Sequence, residues 1–159
     1  MVRAMTLFID SSLPVEHIKG NRGNDDLLAY LLSFDFDLTI NAVVFSEVMF
    51  KFLTIHGEKS GLALKKGIAI GKILEDHDPR KILKYFRFDG STDDPQQEAL
   101  RLMQQYNLLP NDALILAHCI NSKIKFVASY DSDFKIPCQE EGITLIDSIE
   151  TFNKLFQAE

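Results

Sequence analysis

Residues 5–12 read Met-Thr-Leu-Phe-Ile-Asp-Ser-Ser, a short apolar run that stops at three polar residues. Such a run is typical of a strand buried on both faces, and the polar residues indicate the turn that ends it. Strands of this kind occur in parallel sheets, whose two faces are covered by helices. The stretch therefore predicts an α/β fold with Asp10 at the carboxyl end of its first strand.

The rest of the chain alternates between strand-like and helix-like segments. Apolar runs predict further strands at 38–40, 85–88, 125–129 and 143–146. Periodicity and capping residues predict helices at 13–19, 25–32, 43–55, 95–106, 110–122 and 148–156, with Asn24 capping the second. One or two more helices are expected within 59–88. Strands separated by helices indicate a three-layer α/β/α sandwich with a central parallel sheet.

Composition limits the possible classes of protein. The chain has 159 residues, 46% of them hydrophobic and 25% charged, which is typical of a globular domain. Without repeats or linker-like stretches, a single domain over residues 1–159 is expected. Apolar runs stop short of the roughly 20 residues that a membrane span needs, so we expect a soluble, cytoplasmic protein that contacts no membrane. Cys119 and Cys138 lack zinc-site spacing and are expected to be buried thiols.

Four acidic residues lie where a sheet of this kind binds ligands. Asp10 and Asp131 each follow a predicted strand, and the carboxyl ends of parallel strands border the ligand crevice. Asp112 falls in the first turn of a helix, and Glu47 lies on a largely apolar helix face. Carboxylate oxygens with few basic neighbours in sequence favour a hard cation, Mg²⁺ or Mn²⁺, over zinc.

Each of these acids also has an ordinary explanation. A lone Asp112 is most often a helix cap, a lone Asp131 is most often part of a polar turn, and Asp10 fits a turn as well as a site. Glu47 is the hardest to explain without a cation or a hydrogen-bond partner. The prediction of a metal site therefore rests on the four acids together.

Four sequence motifs resemble those of one known family. They read Phe-Ile-Asp-Ser-Ser at 8–12, Ser-Glu-Val at 46–48, Leu-Pro-Asn-Asp-Ala-Leu-Ile-Leu-Ala at 109–117, and Ala-Ser-Tyr-Asp-Ser-Asp-Phe at 128–134. In this order they resemble the PIN-domain nucleases, and the VapC-like toxins in particular. The segment 110–134 is the most specific part, whereas 58–88 is longer and more basic than the family pattern and carries no transferable motif.

The resemblance implies a PIN-like sheet and a divalent-metal-dependent endoribonuclease that hydrolyses RNA phosphodiester bonds with one or two Mg²⁺ or Mn²⁺ ions. In the VapC-like subgroup, it further implies the toxin of a toxin–antitoxin pair, with a small antitoxin protein as partner and a homodimeric state. By position, the family's catalytic and metal-binding acids match Asp10, Glu47, Asp112 and Asp131, with Asp133 as a further metal ligand. Ser12 and Ser129 stand where side chains would orient a ligand or a water molecule.

The charge distribution bears on an RNA substrate. The formal net charge of −6 excludes a generally basic surface, but residues 51–87 carry nine basic and four acidic residues. Either these side chains form a patch that meets phosphates or they form a solvated helical face. The candidates for RNA binding are Lys59, Lys65, Lys66, Lys72, Lys81, Lys84 and Arg87, with Arg80 nearby.

Three alternatives remain open. A PIN-fold chain without catalysis would act as a binding module in RNA processing or in a partner-protein complex. Residues 35–39 spell Asp-x-Asp-x-Thr, the nucleophile motif of haloacid-dehalogenase phosphatases, but that motif ends a first strand, whereas here it precedes the second. The early leucines, Leu27, Leu28, Leu31 and Leu32, belong either to the core or to a dimer face.

Overall fold

The computed structural model describes residues 4–90 and 94–157. Its five strands are β1 (Met5–Ile9), β2 (Phe36–Ile40), β3 (Arg87–Phe88), β4 (Phe126–Ala128) and β5 (Thr144–Ile146). They form one parallel sheet in the order β3-β2-β1-β4-β5, with Met5 opposite Phe36 and Phe8 opposite Val127. The predicted parallel α/β architecture is confirmed.

Helices connect the strands. They are α1 (Ser12–Lys19), α2 (Leu27–Leu31), α3 (Ala42–Gly57), α4 (Gly61–Lys66), α5 (Ile70–Asp76), α6 (Arg80–Leu83), α7 (Gln96–Tyr106), α8 (Pro110–Asn121), α9 (Lys135–Glu140) and α10 (Ile149–Phe156). Short 3₁₀ turns span Gly23–Asp25 and Ser132–Phe134. None of the helices in the described ranges is long and apolar enough to cross a membrane.

The basic segment differs from the prediction of one or two helices. Three short helices, α4 to α6, precede β3 there. The chain breaks after α4 because Gly67 ends that helix and Ile68 adopts a positive φ of 53°. It breaks again after α5, where Pro79 follows and cannot donate a hydrogen bond to a continuing helix.

Two smaller expectations also differ from the structure. Asn24 lies within a 3₁₀ turn and does not cap α2; instead, the Asp26 side chain accepts a hydrogen bond from the Ala29 N–H at 3.0 Å. Helix α9 was not predicted, because it is short and contains Pro137. That proline lies in its first turn, where a proline is tolerated.

The core lies on both sides of β1. Leu7, Phe8 and Ile9 are fully buried although consecutive strand residues point to opposite faces, so helices must cover both faces. Leu27, Leu28 and Leu31 are also fully buried, with Leu32 packed against them. These leucines are therefore core residues, and a homodimer would need another face. Both cysteines are buried and unpaired.

The sheet topology determines which residues can meet. β2 and then β3 lie on one side of β1, whereas β4 and then β5 lie on the other side. The strand order therefore reverses between β1 and β4. The crevice at such a reversal, beyond the carboxyl ends, is the usual ligand site of an open α/β sheet. Asp10 and Asp131 follow these two strands, whereas Asp35 precedes β2 and lies toward the opposite edge. The phosphatase interpretation of residues 35–39 therefore lacks the required strand end.

Candidate metal centre at the carboxyl edge of the sheet

Asp10 is the most buried acid of this crevice, with 4% of its surface exposed. Its Oδ2 accepts hydrogen bonds from the hydroxyls of Ser12 and Ser129, both at 2.7 Å, and from the Ser12 N–H at 3.3 Å. Burial raises the pKa of Asp10 above its ordinary value, while the bonds from the two serines act in the opposite direction. The carboxylate thus joins the end of β1 to the end of β4.

The serine protons have assignable directions. The Tyr130 N–H donates to Ser12 Oγ and the Asp131 N–H donates to Ser129 Oγ, each at 3.0 Å. The two hydroxyl oxygens also lie 3.3 Å apart, but each is closer to Asp10 Oδ2, at 2.7 Å. Because a carboxylate oxygen only accepts, each hydroxyl gives its own proton to Asp10 Oδ2. The hydrogen bonds to the Asp10 side chain among the described residues therefore all reach Oδ2 and none reaches Oδ1.

The pKa of Asp112 is raised by its position in the crevice. The residue lies in the first turn of α8 and is half-buried. Burial is the largest cause that raises its pKa to about 6, followed by the negative charges of Asp131, Asp10, Glu47 and Asp133. The structure therefore brings all five predicted acids into mutual electrostatic range, although they span more than 120 residues of sequence.

Asp131 and Asp133 come from the 3₁₀ turn that follows β4. Asp131 accepts a hydrogen bond from the Asp133 N–H at 2.9 Å, which fixes the turn. One carboxylate oxygen each from Asp112, Asp131 and Asp133 lie within 4.8 Å of one another, close enough to share one cation. This trio is the part of the crevice whose geometry fits a metal ion directly.

Glu47 approaches the crevice from the middle of α3. The side chain of Asn41 begins that helix, accepting a hydrogen bond from the Val44 N–H at 3.1 Å. Asn111 donates from its Nδ2 to Glu47 Oε1 at 2.8 Å and so links α8 to α3. Sequence reasoning assigned no role to Asn111; its position directly before Asp112 was the signal available.

The donor set of the crevice suits a hard divalent cation. All five acids offer carboxylate oxygens, the ligands that such cations prefer. Across residues 4–90 and 94–157, no lysine, arginine or histidine forms an ion pair with any of the five. The residues therefore fit a divalent ion, which would offset charge that the described side chains leave uncompensated.

The predicted RNA-binding side chains lie on the surface, but not all of them are equally available. All seven are exposed, and five of them form no ion pair among the described residues: Lys59, Lys65, Lys66, Lys81 and Lys84. The other two, Lys72 and Arg87, are ion-paired. Lys72 pairs with Asp76 at 3.1 Å. Arg87 donates to Asp37 from Nε and to Thr39 from Nη2, each at 3.0 Å, which ties β3 to β2.

Comparisons with known proteins agree with this architecture. The family model for the PIN domain matches residues 7–139. Ribonuclease VapC6 of Methanocaldococcus jannaschii is 34% identical over 139 residues, covering 81% of this chain and 90% of that protein. Ribonuclease VapC2 of the same organism is 29% identical over 129 residues, covering 81% and 87%. A solved toxin-antitoxin complex from Klebsiella pneumoniae has the same fold, with a TM-score of 0.55 and 19% identity over 88% of this chain and 95% of that chain.

Removing one charge from the crevice should stabilise the metal-free protein. We expect Asp112→Asn to raise the free energy of unfolding at pH 7 by about 1 kcal/mol, a value reduced for the solvent screening of a half-exposed group. The folded-state pKa of about 6 exceeds the unfolded value of roughly 3.9, so stability from the neutral carboxyl is lost as the pH rises through 6. The gain should therefore shrink as the pH falls toward 4.

Urea unfolding in EDTA at several pH values measures this effect. Asp35→Asn is the matched control, since Asp35 is exposed and lies toward the other edge of the sheet. An equal gain from both variants, or no gain from Asp112→Asn at pH 7, would contradict the repulsion described for the crevice.

Proposed function

The chain belongs to the PIN-domain family, and from that premise we propose that it is a divalent-metal-dependent endoribonuclease and the toxin of a toxin–antitoxin pair. Two relatives named as ribonucleases support the proposed reaction. The observation that carries it is the convergence of acids around Asp112, whose pKa is raised to about 6 by burial and by four neighbouring carboxylates. The proposed catalytic and metal-binding residues are Asp10, Glu47, Asp112 and Asp131, with Asp133 as a further metal ligand.

The chemistry of phosphodiester hydrolysis matches such a donor set. Mg²⁺ or Mn²⁺ held by these acids would lower the pKa of water and would offset charge that develops on the leaving oxygen. The chain itself contributes the positions of the ligands. Ser12 and Ser129 hold Asp10 by its Oδ2, and Asn111 holds Glu47 by its Oε1. The acids then present oxygen ligands from β1, α3, α8 and the turn after β4.

Loss of one central carboxylate should remove the activity without removing the fold. We expect Asp112→Asn to lower divalent-dependent cleavage of RNA by about 100-fold or more, the usual cost of losing one electrostatic group in an active site. Cleavage is measured with a fluorescent RNA in Mg²⁺ or Mn²⁺, and Mn²⁺ binding is measured separately by calorimetry. Asp35→Asn should behave as the wild type in both measurements. Wild-type cleavage by a folded Asp112→Asn variant would remove Asp112 from the site.

We also propose that the basic segment contributes to RNA binding. Its support is the location of α4 and α5, whose Leu64 and Ile73 pack against Gly57 on α3, the helix that carries Glu47. Lys65 and Lys66, in the last turn of α4, are exposed and form no ion pair within the described part of the chain. Lys59, Lys81 and Lys84 share these properties, and we choose Lys65 and Lys66 for the test because they are adjacent on one helix.

Reversing these charges should weaken RNA binding and reduce its dependence on salt. For two lost phosphate contacts on single-stranded RNA, the slope of log K against log salt should fall by about 1.4. Binding of Lys65→Glu/Lys66→Glu is measured in EDTA, so that the RNA stays intact. Lys123→Glu/Lys125→Glu, just before β4 and so toward the other edge of the sheet, is the control. An unchanged slope for the first pair would exclude the patch.

The proposed antitoxin has a chemical reason to bind at the acid crevice. Charged carboxylates covered by a protein surface are costly unless they are paired, so a covering partner would insert a basic side chain among them. We expect the product of a small open reading frame directly upstream to co-purify with this chain and to abolish cleavage. Co-expression followed by size-exclusion chromatography tests this. Absence of such a frame, with activity intact, would instead favour a stand-alone RNA-processing enzyme.

A further inference from the structure

A cavity of about 570 Å³ opens directly beside the acid crevice. Ser12, Glu47 and Asn111 of the crevice form one side of it. The rest of the lining comes from Ser11, from Val15 and Glu16 of α1, and from Ser46, Phe50 and Lys51 of α3. The charge of Glu16 is paired with Lys19 at 2.9 Å. We call this space the α1–α3 cavity. Its volume lies within the range of roughly 300–1,000 Å³ in which proteins bind small organic groups. A group bound there would lie next to the acids.

Three side chains of α3 present different chemistry to this cavity from one helix face. Glu47, Phe50 and Lys51 stand at positions i, i+3 and i+4, which bring them onto the same side of a helix. Glu47 belongs to the crevice, Phe50 offers an apolar ring and Lys51 offers a cation. An acidic site, a flat ring and a positive charge therefore follow one another along a single turn of α3.

The Phe50 ring is exposed, but one of its edges packs against α4. It is 54% exposed, although it lies on a helix whose Val44, Val48 and Phe52 are buried. Gly61, the first residue of α4, packs against its edge: a Cβ added to Gly61 would lie 2.6 Å from Phe50 Cε2 and 3.2 Å from Cζ. The glycine therefore makes room for one edge of the ring, and packing at that edge reduces the freedom that the Phe50 side chain would lose when a base stacks on it.

From this placement we propose that the α1–α3 cavity is a base-binding subsite, in which an unpaired RNA base beside the cleaved phosphodiester stacks on Phe50 and Lys51 contacts a neighbouring phosphate. An exposed aromatic ring beside a cation is how proteins bind single-stranded nucleic acids, because every base has a flat face. The inference rests on the proposed ribonuclease function and extends it to the substrate. Bases in a helical RNA duplex are already stacked on one another, so this subsite would accept an unpaired base.

A tryptophan reporter tests the stacking without any cleavage. The chain contains no tryptophan, so Phe50→Trp introduces a single fluorophore at the subsite. In EDTA, a short single-stranded oligoribonucleotide should quench its fluorescence, whereas an abasic oligomer with the same phosphates should quench it far less. Phe45→Trp is the matched control, since Phe45 is 41% exposed on the same helix but lies roughly 140° around it from Phe50. It should respond weakly to both oligomers.

Cleavage kinetics separate stacking from general apolar packing. Phe50→Ala and Phe50→Leu should each raise KM for single-stranded RNA roughly 10-fold with a smaller change in kcat, because both lose the flat ring. Phe50→Tyr should retain wild-type KM. Gly61→Ala should raise KM as well, because its methyl group displaces the ring without removing it. Thermal unfolding of each variant shows that the fold is kept.

The outcomes distinguish this inference from the function on which it rests. Wild-type KM for Phe50→Leu, or equal quenching of Phe50→Trp by the abasic oligomer, would overturn the subsite while the ribonuclease proposal stands. A Phe50→Trp signal that responds only to a co-purified protein partner would likewise overturn it. If the wild type cleaves no RNA, quenching by the base-containing oligomer in EDTA still supports stacking, and its absence refutes it.

Discussion

The carboxylate of Asp10, held by the hydroxyls of Ser12 and Ser129, is the interaction on which the rest of the site depends. It lies where the order of the parallel strands reverses, and the Asp10 N–H also donates to the carbonyl of Ala128 at 3.0 Å. Burial of a carboxylate at this point is unfavourable unless donors satisfy it. The two serines provide them, and each serine is oriented in turn by a backbone amide at the end of β4. Strand pairing and site geometry are therefore one hydrogen-bond system.

The same topology concentrates like charges. Parallel strands send their carboxyl ends to one edge, and α3 and α8 add Glu47 and Asp112 to it, so the edge carries five acids. Repulsion among these carboxylates destabilises the fold when no ligand is bound. Such clusters are therefore typical of functional sites, where a ligand offsets the repulsion. The formal net charge of −6 conceals this arrangement, because the acids at the edge are averaged with a basic segment between residues 51 and 87.

Much of the fold could be predicted from local patterns, and much of the site from their order. β1 was recognisable because its buried residues are consecutive and end at Asp10, and the position of Asp131 after β4 followed from the same signal. The basic segment was harder, because α4 to α6 are single short helices whose ends depend on the positive φ of Ile68 and on Pro79. The contact of Asn111 with Glu47 joins residues 64 positions apart, and no local pattern specifies such a polar pair.

The pairing of β1 with β4 has a consequence for when the site exists. The Ser129–Asp10 hydrogen bond joins residues 119 positions apart in the chain. During synthesis at roughly 5–20 residues per second, the segment that contains Asp10 waits on the order of 6–24 seconds before Ser129 is added. Contacts of such sequence separation also slow folding, because a long loop must close before they stabilise the chain. The acid crevice is therefore absent from a growing chain and is assembled only after β4 has been made, so translation itself times the appearance of the centre.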